Sequence, residues 1–239
     1  MTLLSRLFYL FPAVHVTAIG VAAAGALSAP GLGSAATLLA VIYLLPVALF
    51  RVHDAIWPLR EGRTPLTSGG YNPWWGASQL QWTFVAFPFL ETALRAYPGL
   101  FSLWLRAWKA HVGRSVLWTP ELVVLDRPML DIGDRAVIGY QVGFSGHLVS
   151  TSEGSLELVV ARNRVGRGAL IGAGAKVFPG AVIGDKALVG VDTRVGSFAR
   201  LGDRARTGGF CHLDHNAEVA DDAQIPSFTQ IRRAEREPT

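Results

Sequence analysis

The chain has 239 residues, half of them apolar, and 22 basic against 18 acidic side chains give it a formal net charge of +4. This weak positive charge fits a membrane surface or a phosphate-bearing ligand and is too small to indicate a nucleic-acid-binding protein. The sole cysteine, Cys211, excludes an internal disulfide and a cysteine-rich zinc site.

Residues 1–62 predict a transmembrane helical hairpin. Two apolar segments, residues 7–27 and 35–50, contain no Asp, Glu, Lys or Arg and flank a turn of small residues. The first has about the ~20 residues that a helix needs to cross the hydrocarbon core, and the second is slightly short. Because Arg6 precedes the first segment and Arg51 follows the second, both ends are expected in the cytoplasm. The alternative, a cleaved signal peptide, is disfavoured by the second apolar segment.

Residues 63–111 are rich in aromatic side chains, and all seven tryptophans of the chain lie between Trp57 and Trp118. Prolines cut this stretch into pieces that are too short to span a membrane. Near its end, apolar residues fall on one helical face while Arg106 and Lys109 lie towards the polar end. Aromatic rings beside basic residues are typical of amphipathic helices in the headgroup layer. We therefore predict an interfacial helical segment, with a soluble core helix as the alternative.

Residues 112–239 carry a six-residue repeat. A helical heptad cannot hold this period, whereas a triangular coil of short strands can, with one aliphatic side chain inside each face and a small residue at each corner. Aspartates 18 positions apart would then stack, and we interpret them as turn residues rather than metal ligands: Asp185, Asp203 and Asp221. The positions of the repeat, aliphatic except for Thr207, are Val159, Val165, Ile171, Val177, Ile183, Val189, Val195, Leu201, Thr207, Leu213, Val219 and Ile225.

The repeat is interrupted once in its middle. Upstream members are Val112, Ile132 and Ile138, and Phe144 follows Ile138 by six positions. Val159 is out of step with these members. The sequence therefore predicts an inserted loop at residues 145–158, with His147 close to its beginning.

The repeats, of the form [LIV]-G-x4, resemble those of the hexapeptide-repeat acyltransferases over residues 112–225, about half of the chain. The order of a membrane hairpin, an aromatic stretch, GRSVLW…LDRPMLDIGDRAVIG and a histidine loop is also similar to the membrane-embedded C-terminal domains of polylysine-type nonribosomal peptide synthetases and related stand-alone membrane acyltransferases. The resemblance implies a mainly-β chain, in which a left-handed parallel β-helix follows a transmembrane hairpin and interfacial helices. It also implies a homotrimer and an acyl-CoA or carrier-protein thioester as donor substrate, with no bound cofactor.

In the family, a histidine in a loop extruded from the coil is the general base that activates a hydroxyl or amine acceptor. His147 occupies the matching place, and a histidine side chain that is mostly neutral at pH 7 can accept a proton. The alternative is a histidine that only caps a surface loop. Five nearby residues are candidates to orient the ring or to bind the acceptor, and the sequence does not choose among them: Ser145, Ser150, Ser152, Glu153 and Glu157.

Two more histidines and three arginines are candidates for secondary roles. With His147, His212 and His215 make three histidines, as in the zinc site of γ-class carbonic anhydrases, but their spacing is a poor match. No metal site is therefore predicted, and a role at a subunit interface is expected for this pair. Arginines at every sixth position are candidates to bind donor phosphates on successive sides of the coil, or are solvated corner charges: Arg194, Arg200 and Arg206.

These patterns predict a multi-pass acyltransferase of a bacterial inner membrane, with its catalytic domain in the cytoplasm. It would move an acyl or aminoacyl group from a thioester to a hydroxyl or amine, in association with the lipid bilayer and with a carrier protein or peptide synthetase. The competing hypothesis is a non-catalytic membrane scaffold in which His147 is incidental.

Overall fold

The computed structural model describes residues 2–66, 69–152 and 154–232. The chain forms two compact units. The helical unit comprises Met1–Arg60 and Thr67–Phe87, and the solenoid unit comprises Glu61–Leu66 and Pro88–Thr239.

The helical unit contains two long apolar helical segments, and both are long and apolar enough to cross a membrane. The hydroxyl of Thr2 caps the first segment by accepting the N–H of Ser5 at 3.1 Å. A π-helical turn, Ala40–Leu44, interrupts the second segment without ending it. The α-helices of this unit are α1 (Leu3–Ser28), α2 (Leu32–Leu39), α3 (Leu45–Ile56) and α4 (Pro73–Ala86).

A buried histidine ties these helices together. The His15 ring, on α1, is fully buried. Its Nδ1 lies 2.9 Å from the hydroxyl of Thr83 on α4, and its Nε2 lies 2.9 Å from the carbonyl oxygen of Val41 in the π-helical turn. Both ring nitrogens therefore have polar partners inside an apolar unit, as buried polar groups require.

The solenoid unit begins with strand β1, two short helices, α5 (Phe89–Arg95) and α6 (Leu100–Ala107), and then a run of short strands. A 3₁₀ turn, Arg127–Met129, interrupts this run. The strands are β1 (Gly62–Pro65), β2 (His111–Val112), β3 (Leu117–Trp118), β4 (Val123–Val124), β5 (Leu130–Ile132), β6 (Val137–Ile138), β7 (Gly143–Phe144), β8 (His147–Ser152), β9 (Ser155–Val160), β10 (Asn163–Val165), β11 (Leu170–Ile171), β12 (Lys176–Val177), β13 (Val182–Ile183), β14 (Leu188–Val189), β15 (Arg194–Val195), β16 (Arg200–Leu201), β17 (Arg206–Thr207), β18 (His212–Leu213), β19 (Glu218–Val219), β20 (Gln224–Ile225) and β21 (Gln230–Ile231).

Eighteen of these strands form a parallel β-solenoid with three faces, each a six-stranded sheet. Face 1 has the order β2-β5-β10-β13-β16-β19, face 2 the order β3-β6-β11-β14-β17-β20, and face 3 the order β4-β7-β12-β15-β18-β21. In the regular part, partners lie 18 residues apart, as Val165 with Ile183 and Ile183 with Leu201. These side chains are buried. The predicted solenoid of hexapeptide repeats is confirmed.

Thr207 departs from the aliphatic rule for a structural reason. Its side chain is buried in the column, and its hydroxyl oxygen accepts the N–H of Gly190 at 2.9 Å. A valine would leave that amide without this partner.

The glycines of the repeat have a different role from the one predicted. A Cβ on Gly166 would lie 2.5 Å from the backbone nitrogen of Asp185 in the next turn of the solenoid, so glycine is needed for close stacking. The left-handed backbone conformation falls two positions later in the repeat, on residues such as Lys186 and Arg204, with φ of 57° and 58°. Tight stacking therefore selects the glycine.

The stacked aspartates act as turn residues. The Oδ1 of Asp185 accepts the N–H of Arg167 at 2.8 Å, and the Oδ1 of Asp203 accepts the N–H of Asp185 at 2.8 Å. Asp221 continues this pattern with the N–H of Asp203 at 2.9 Å. Each carboxylate thus binds the backbone one turn earlier in the solenoid.

The predicted inserted loop is instead a β-hairpin. Strands β8 and β9 pair antiparallel from His147↔Val160 to Ser152↔Ser155, and β1 pairs with the other edge of β9. Val159 belongs to this hairpin, so the regular repeat resumes at Val165 and not at Val159. Buried apolar residues at the end of β9 explain why the segment forms strands.

Candidate active site

Two interruptions of the repeat fall at the same corner of the solenoid. Val124 and Ile132 are eight positions apart instead of six, and Phe144 and Val165 are 21 apart. Val124 pairs with Phe144 on face 3, and Ile132 pairs with Val165 on face 1. Both interruptions therefore connect face 3 to face 1, in adjacent turns of the solenoid, and their residues can meet.

The meeting point is a contact between Asp126 and His147. Asp126 precedes the 3₁₀ turn, and its carbonyl oxygen accepts the N–H of Met129 at 3.0 Å. Its Oδ2 lies 2.6 Å from Nδ1 of His147 and accepts the N–H of Gly146 at 2.9 Å. A Cβ on Gly146 would lie 2.9 Å from the Cβ of Asp126, so glycine permits this close approach.

The chemistry of the pair fixes the histidine tautomer. An ionised carboxylate only accepts hydrogen bonds, so Nδ1 of His147 carries the proton and Nε2 is the basic atom of the neutral ring. The side chain of Asp126 is 1% exposed, and that of His147 is 24% exposed. The carboxylate is thus shielded from water, while the ring remains accessible to a substrate.

Further hydrogen bonds fix the backbone around His147. The hydroxyl of Ser145 donates to the carbonyl oxygen of His147 at 2.6 Å. The fully buried Asn163 donates from Nδ2 to the carbonyl oxygen of Ser145 at 2.9 Å. The start of the hairpin and the point where the solenoid resumes are therefore held together.

A buried ion pair anchors the turn that carries Asp126. Nε of Arg127 lies 2.6 Å from Oε1 of Glu91, and the two side chains are 0% and 2% exposed. The indole N–H of Trp104 donates to the same oxygen at 2.8 Å. Hydrogen bonds to Glu91 of α5 thus join α6 and the 3₁₀ turn that follows Asp126.

Four of the five candidates near His147 lie in the described part of the hairpin region. Ser145 bonds to backbone, as above, while Ser150 and Glu157 are cross-strand partners. Glu157 also lies 3.8 Å from Nη1 of Arg63. Ser152 ends β8, and Glu153 lies outside the described residues.

His212 and His215 do not approach His147 within one chain. His212 lies on face 3 in β18, three strand spacings or roughly 14 Å from β7. It is half-exposed, with Nε2 3.7 Å from Oδ1 of Asp214. The ring of His215 packs edge-on against Phe198, with 5.6 Å between centroids. Among the residues that the structure describes, no group of three or more His, Cys, Asp or Glu could hold a metal ion.

The three periodic arginines lie on three different faces. Arg194 is on face 3, Arg200 on face 1 and Arg206 on face 2, each exposed. Within one chain they do not converge on a single phosphate.

Sequence reasoning missed Asp126, although a signal was present. The eight-residue spacing between Val124 and Ile132 breaks the period just as the later insertion does. The first interruption contains an acidic residue and the second contains a histidine, both at the same corner. This coincidence indicates that Asp126 and His147 form a pair.

Comparisons with known proteins concern the fold alone. No family model matches the chain, and no curated protein matches its sequence. A mutant of perosamine N-acetyltransferase from Caulobacter crescentus, solved with CoA and GDP-perosamine, is similar at 14% identity and a TM-score of 0.36, over 56% of this chain and 60% of that protein. A hexapeptide-repeat acetyltransferase from Vibrio cholerae is similar at 13% identity and a TM-score of 0.42, over 64% of this chain and 89% of that one. A maltose O-acetyltransferase from Clostridium difficile 630 is similar at 13% identity and a TM-score of 0.37, over 60% and 84%. The chain thus spans less than two thirds of the length of the Caulobacter protein.

Proposed function

We propose that this protein is an acyltransferase of the hexapeptide-repeat type, which moves an acyl or aminoacyl group from a thioester to a hydroxyl or amine. One observation carries the proposal: the 2.6 Å contact between His147 and the buried Asp126 at an interruption of a hexapeptide-repeat solenoid. In the family that the repeat resembles, a histidine at such an interruption is the general base.

The reaction uses Nε2 of His147 as the base. Nε2 takes the proton of the acceptor hydroxyl or amine, whose oxygen or nitrogen attacks the thioester carbonyl carbon. The carbon–sulfur bond then breaks, and the proton on Nε2 passes to the leaving thiolate. The products are a free thiol and an ester or amide, and the imidazole returns to its neutral form.

Asp126 acts through His147 and is a positioning residue. By accepting a hydrogen bond from the Nδ1–H group, it keeps Nε2 unprotonated and aims the ring. Its negative charge also stabilises the imidazolium that forms when Nε2 takes the proton. Backbone amides beside the hairpin would stabilise the oxyanion of the tetrahedral intermediate.

The donor would be an acyl-CoA or a carrier-protein thioester, used as a substrate and not as a resident cofactor. A carrier protein or peptide synthetase would be the matching partner. Following the family, we propose a homotrimer, in which residues of neighbouring subunits complete each site. His212 and His215, which lie away from His147 in one chain, are candidates for that subunit interface.

The helical unit would anchor the enzyme in a bilayer, and its two long apolar helices support this placement. The distribution of arginines favours an orientation with the solenoid unit on the cytoplasmic side, and the membrane would be a bacterial inner membrane. The acceptor would then be a lipid-linked or amphipathic molecule.

The test is a transfer assay with the full chain in nanodiscs. Acyl-CoAs and carrier-bound thioesters are offered as donors, with membrane lipid extract as the acceptor source. Thioester consumption should fall at least about 100-fold in His147→Ala, the lower end for loss of a general base. His111→Ala is the matched control, since this exposed histidine lies on face 1 of the solenoid.

Equal consumption by wild type and His147→Ala would remove this histidine from the mechanism. Absence of transfer with every donor, for a wild-type protein of native stability, would favour the scaffold hypothesis. A scaffold should also retain its function when a regular hexapeptide corner replaces the hairpin.

A further inference from the structure

The solenoid unit contains a basic cleft of about 530 Å³ away from the interrupted corner. It lies between α6, the segment before it and the first turn of the solenoid. No Asp or Glu is among the described residues that line it. Its walls are formed by three arginines and three aromatic side chains: Arg95, Arg106, Arg114, Tyr97, Phe101 and Trp118.

Among the described residues that line the cleft, Arg95 has buried hydrogen-bond donors that lack an acceptor. Its Nη2 donates to the hydroxyl of Thr92 at 2.9 Å, and its guanidinium lies 4.8 Å from the centre of the Phe101 ring. Its Nε and Nη1 are buried and have no hydrogen-bond partner in the described structure. Buried donors without partners destabilise a fold unless a ligand satisfies them.

The carboxylate of Glu91, which acts electrostatically on Arg95, does not accept a hydrogen bond from these two donors. Burial lowers the pKa of Arg95, an effect that Glu91 opposes and Arg127 reinforces. Oε1 of Glu91 already accepts from Arg127 and Trp104. Nε and Nη1 of Arg95 therefore remain without an acceptor in the described structure.

The other two arginines extend the positive charge of the cleft. Arg106 is held in place because Nε donates to the carbonyl oxygen of Val112 at 2.9 Å and Nη2 to that of Gly113 at 2.7 Å. Arg114 is exposed, and Asp134 accepts its backbone N–H at 2.7 Å.

Large apolar side chains surround the opening of the cleft. Tyr97 and Leu117, which both line the cleft, are 67% and 57% exposed. Exposed apolar groups beside arginines are typical of surfaces that meet the headgroup layer of a membrane. This combination favours a phosphate that belongs to an amphiphile over a soluble phosphate.

We propose that this cleft binds the phosphate of a phospholipid headgroup, with the guanidinium groups of Arg95 and Arg114 on the phosphate oxygens and the aromatic wall against the adjoining glycerol and acyl carbons. Arginine suits this role because its planar fork donates two parallel hydrogen bonds to phosphate. The site is independent of His147 and of the proposed acyl transfer.

Binding to the full chain in detergent tests the site. Dihexanoyl phosphatidic acid is titrated, and dihexanoylglycerol serves as the matched ligand without phosphate. Saturable binding of the phosphatidic acid is expected to weaken at least about tenfold in Arg95→Gln and to weaken at higher ionic strength. Arg95→Lys should recover part of the affinity because it restores the charge without the fork. Arg135→Gln, an exposed arginine that does not line the cleft, should bind as wild type does.

Other results would overturn the proposal. Equal affinity of Arg95→Gln and wild type, or equal binding of dihexanoylglycerol and phosphatidic acid, removes the phosphate site. Inorganic phosphate or CoA binding as tightly as phosphatidic acid, with the same loss in Arg95→Gln, replaces the lipid by a soluble phosphate. Matching melting temperatures establish that a variant that fails to bind is folded; if Arg95→Gln is not folded, Arg114→Gln carries the test.

Discussion

Two histidine–aspartate pairs lie in the early part of the solenoid unit, and they differ in distance, in exposure and in their place on the solenoid. His147 and Asp126 are 2.6 Å apart, with the carboxylate 1% exposed. His111 and Asp131 are 3.9 Å apart, with side chains 72% and 44% exposed. The second pair lies on regular paired strands of face 1, where both side chains meet solvent. The first pair lies where two interruptions stack at one corner.

The comparison shows that the interruptions create the site. On a regular face, the polar residues at the outward positions, such as His111 and Asp131, meet solvent, and water competes for their hydrogen bonds. At the interrupted corner, extra residues allow a carboxylate to be buried and a histidine to be placed against it. A hydrogen bond shielded from water is stronger and better oriented.

The largest expected effect separates the two histidines. His147→Ala should lower kcat for thioester transfer by about 10²- to 10⁴-fold, the range for loss of a general base. His111→Ala should leave it within about twofold. Both variants should melt near the wild-type temperature. Comparable losses in the two variants would mean that the buried pair has no special role.

The second largest effect is expected on folding stability. The solenoid unit contains both buried and exposed ion pairs, which can be compared as the two histidines are. Glu91→Gln should lower the free energy of unfolding by about 3–5 kcal/mol, because it leaves a buried guanidinium without its counter-charge. The double variant Glu91→Leu with Arg127→Met should recover much of this loss. Denaturant titration of the full chain in detergent measures it.

The exposed counterpart of that ion pair is Arg204 and Asp222, at 2.6 Å. Arg204→Gln should change the unfolding midpoint little, because water screens this pair. A loss as large as that of Glu91→Gln would show that geometry matters more than burial.

The third effect concerns the aspartates. In Asp126→Asn, an amide N–H₂ turned to Nδ1 would move the ring proton to Nε2 and remove the base, and it would give up the hydrogen bond from Gly146, which the same oxygen of Asp126 accepts. Asp126→Asn should therefore lower kcat by about 10- to 100-fold with little change in KM. ¹⁵N NMR of labelled histidine should show the tautomer shift. Asp131→Asn is the matched control, expected to retain wild-type kcat. A lower kcat without a change of tautomer would assign the effect to the lost negative charge, and a wild-type kcat would reduce Asp126 to a structural residue.

The sequence predicted the solenoid well because its environments repeat. Each inward position from Val165 to Ile225 packs against an equivalent position one turn away. The six-residue period is therefore sufficient to predict the solenoid. The same period placed His147 at an interruption. It did not reveal Asp126, because this contact depends on two separate interruptions stacking at one corner.

The arginines also show that a sequence period does not reveal every contact of the folded chain. The periodic arginines at 194, 200 and 206 were easy to find, and the structure distributes them over three faces. Arg95, Arg106 and Arg114 converge on one cleft because short helices pack against the first turn of the solenoid. Packing of that kind has no period, and local sequence patterns do not predict it.

The smallest expected effect concerns an exposed acid–base pair that is well oriented, Arg167 with Asp185. Hydrogen bonds from the backbone N–H of Arg167, and then from its guanidinium, lower the pKa of Asp185. Because the folded-state pKa lies below the ordinary value of 3.8, the stabilisation is complete above about pH 4 and is lost as the pH falls through the folded-state pKa. Asp185→Asn should therefore melt slightly below wild type at pH 7, within about 4 °C, and the difference should shrink towards pH 3.

Arg167→Gln separates the two contributions. This variant keeps the backbone N–H that donates to Asp185 at 2.8 Å and removes only the guanidinium. Since the backbone bond is the largest single cause of the lowered pKa of Asp185, Arg167→Gln should retain part of the acid-dependent difference in melting temperature. Equal effects of Arg167→Gln and Asp185→Asn would assign the effect to the exposed ion pair. Even on a regular face, the largest single cause of the lowered pKa of Asp185 is the backbone N–H of the neighbouring turn, and the buried Asp126 makes the same kind of contact with Gly146.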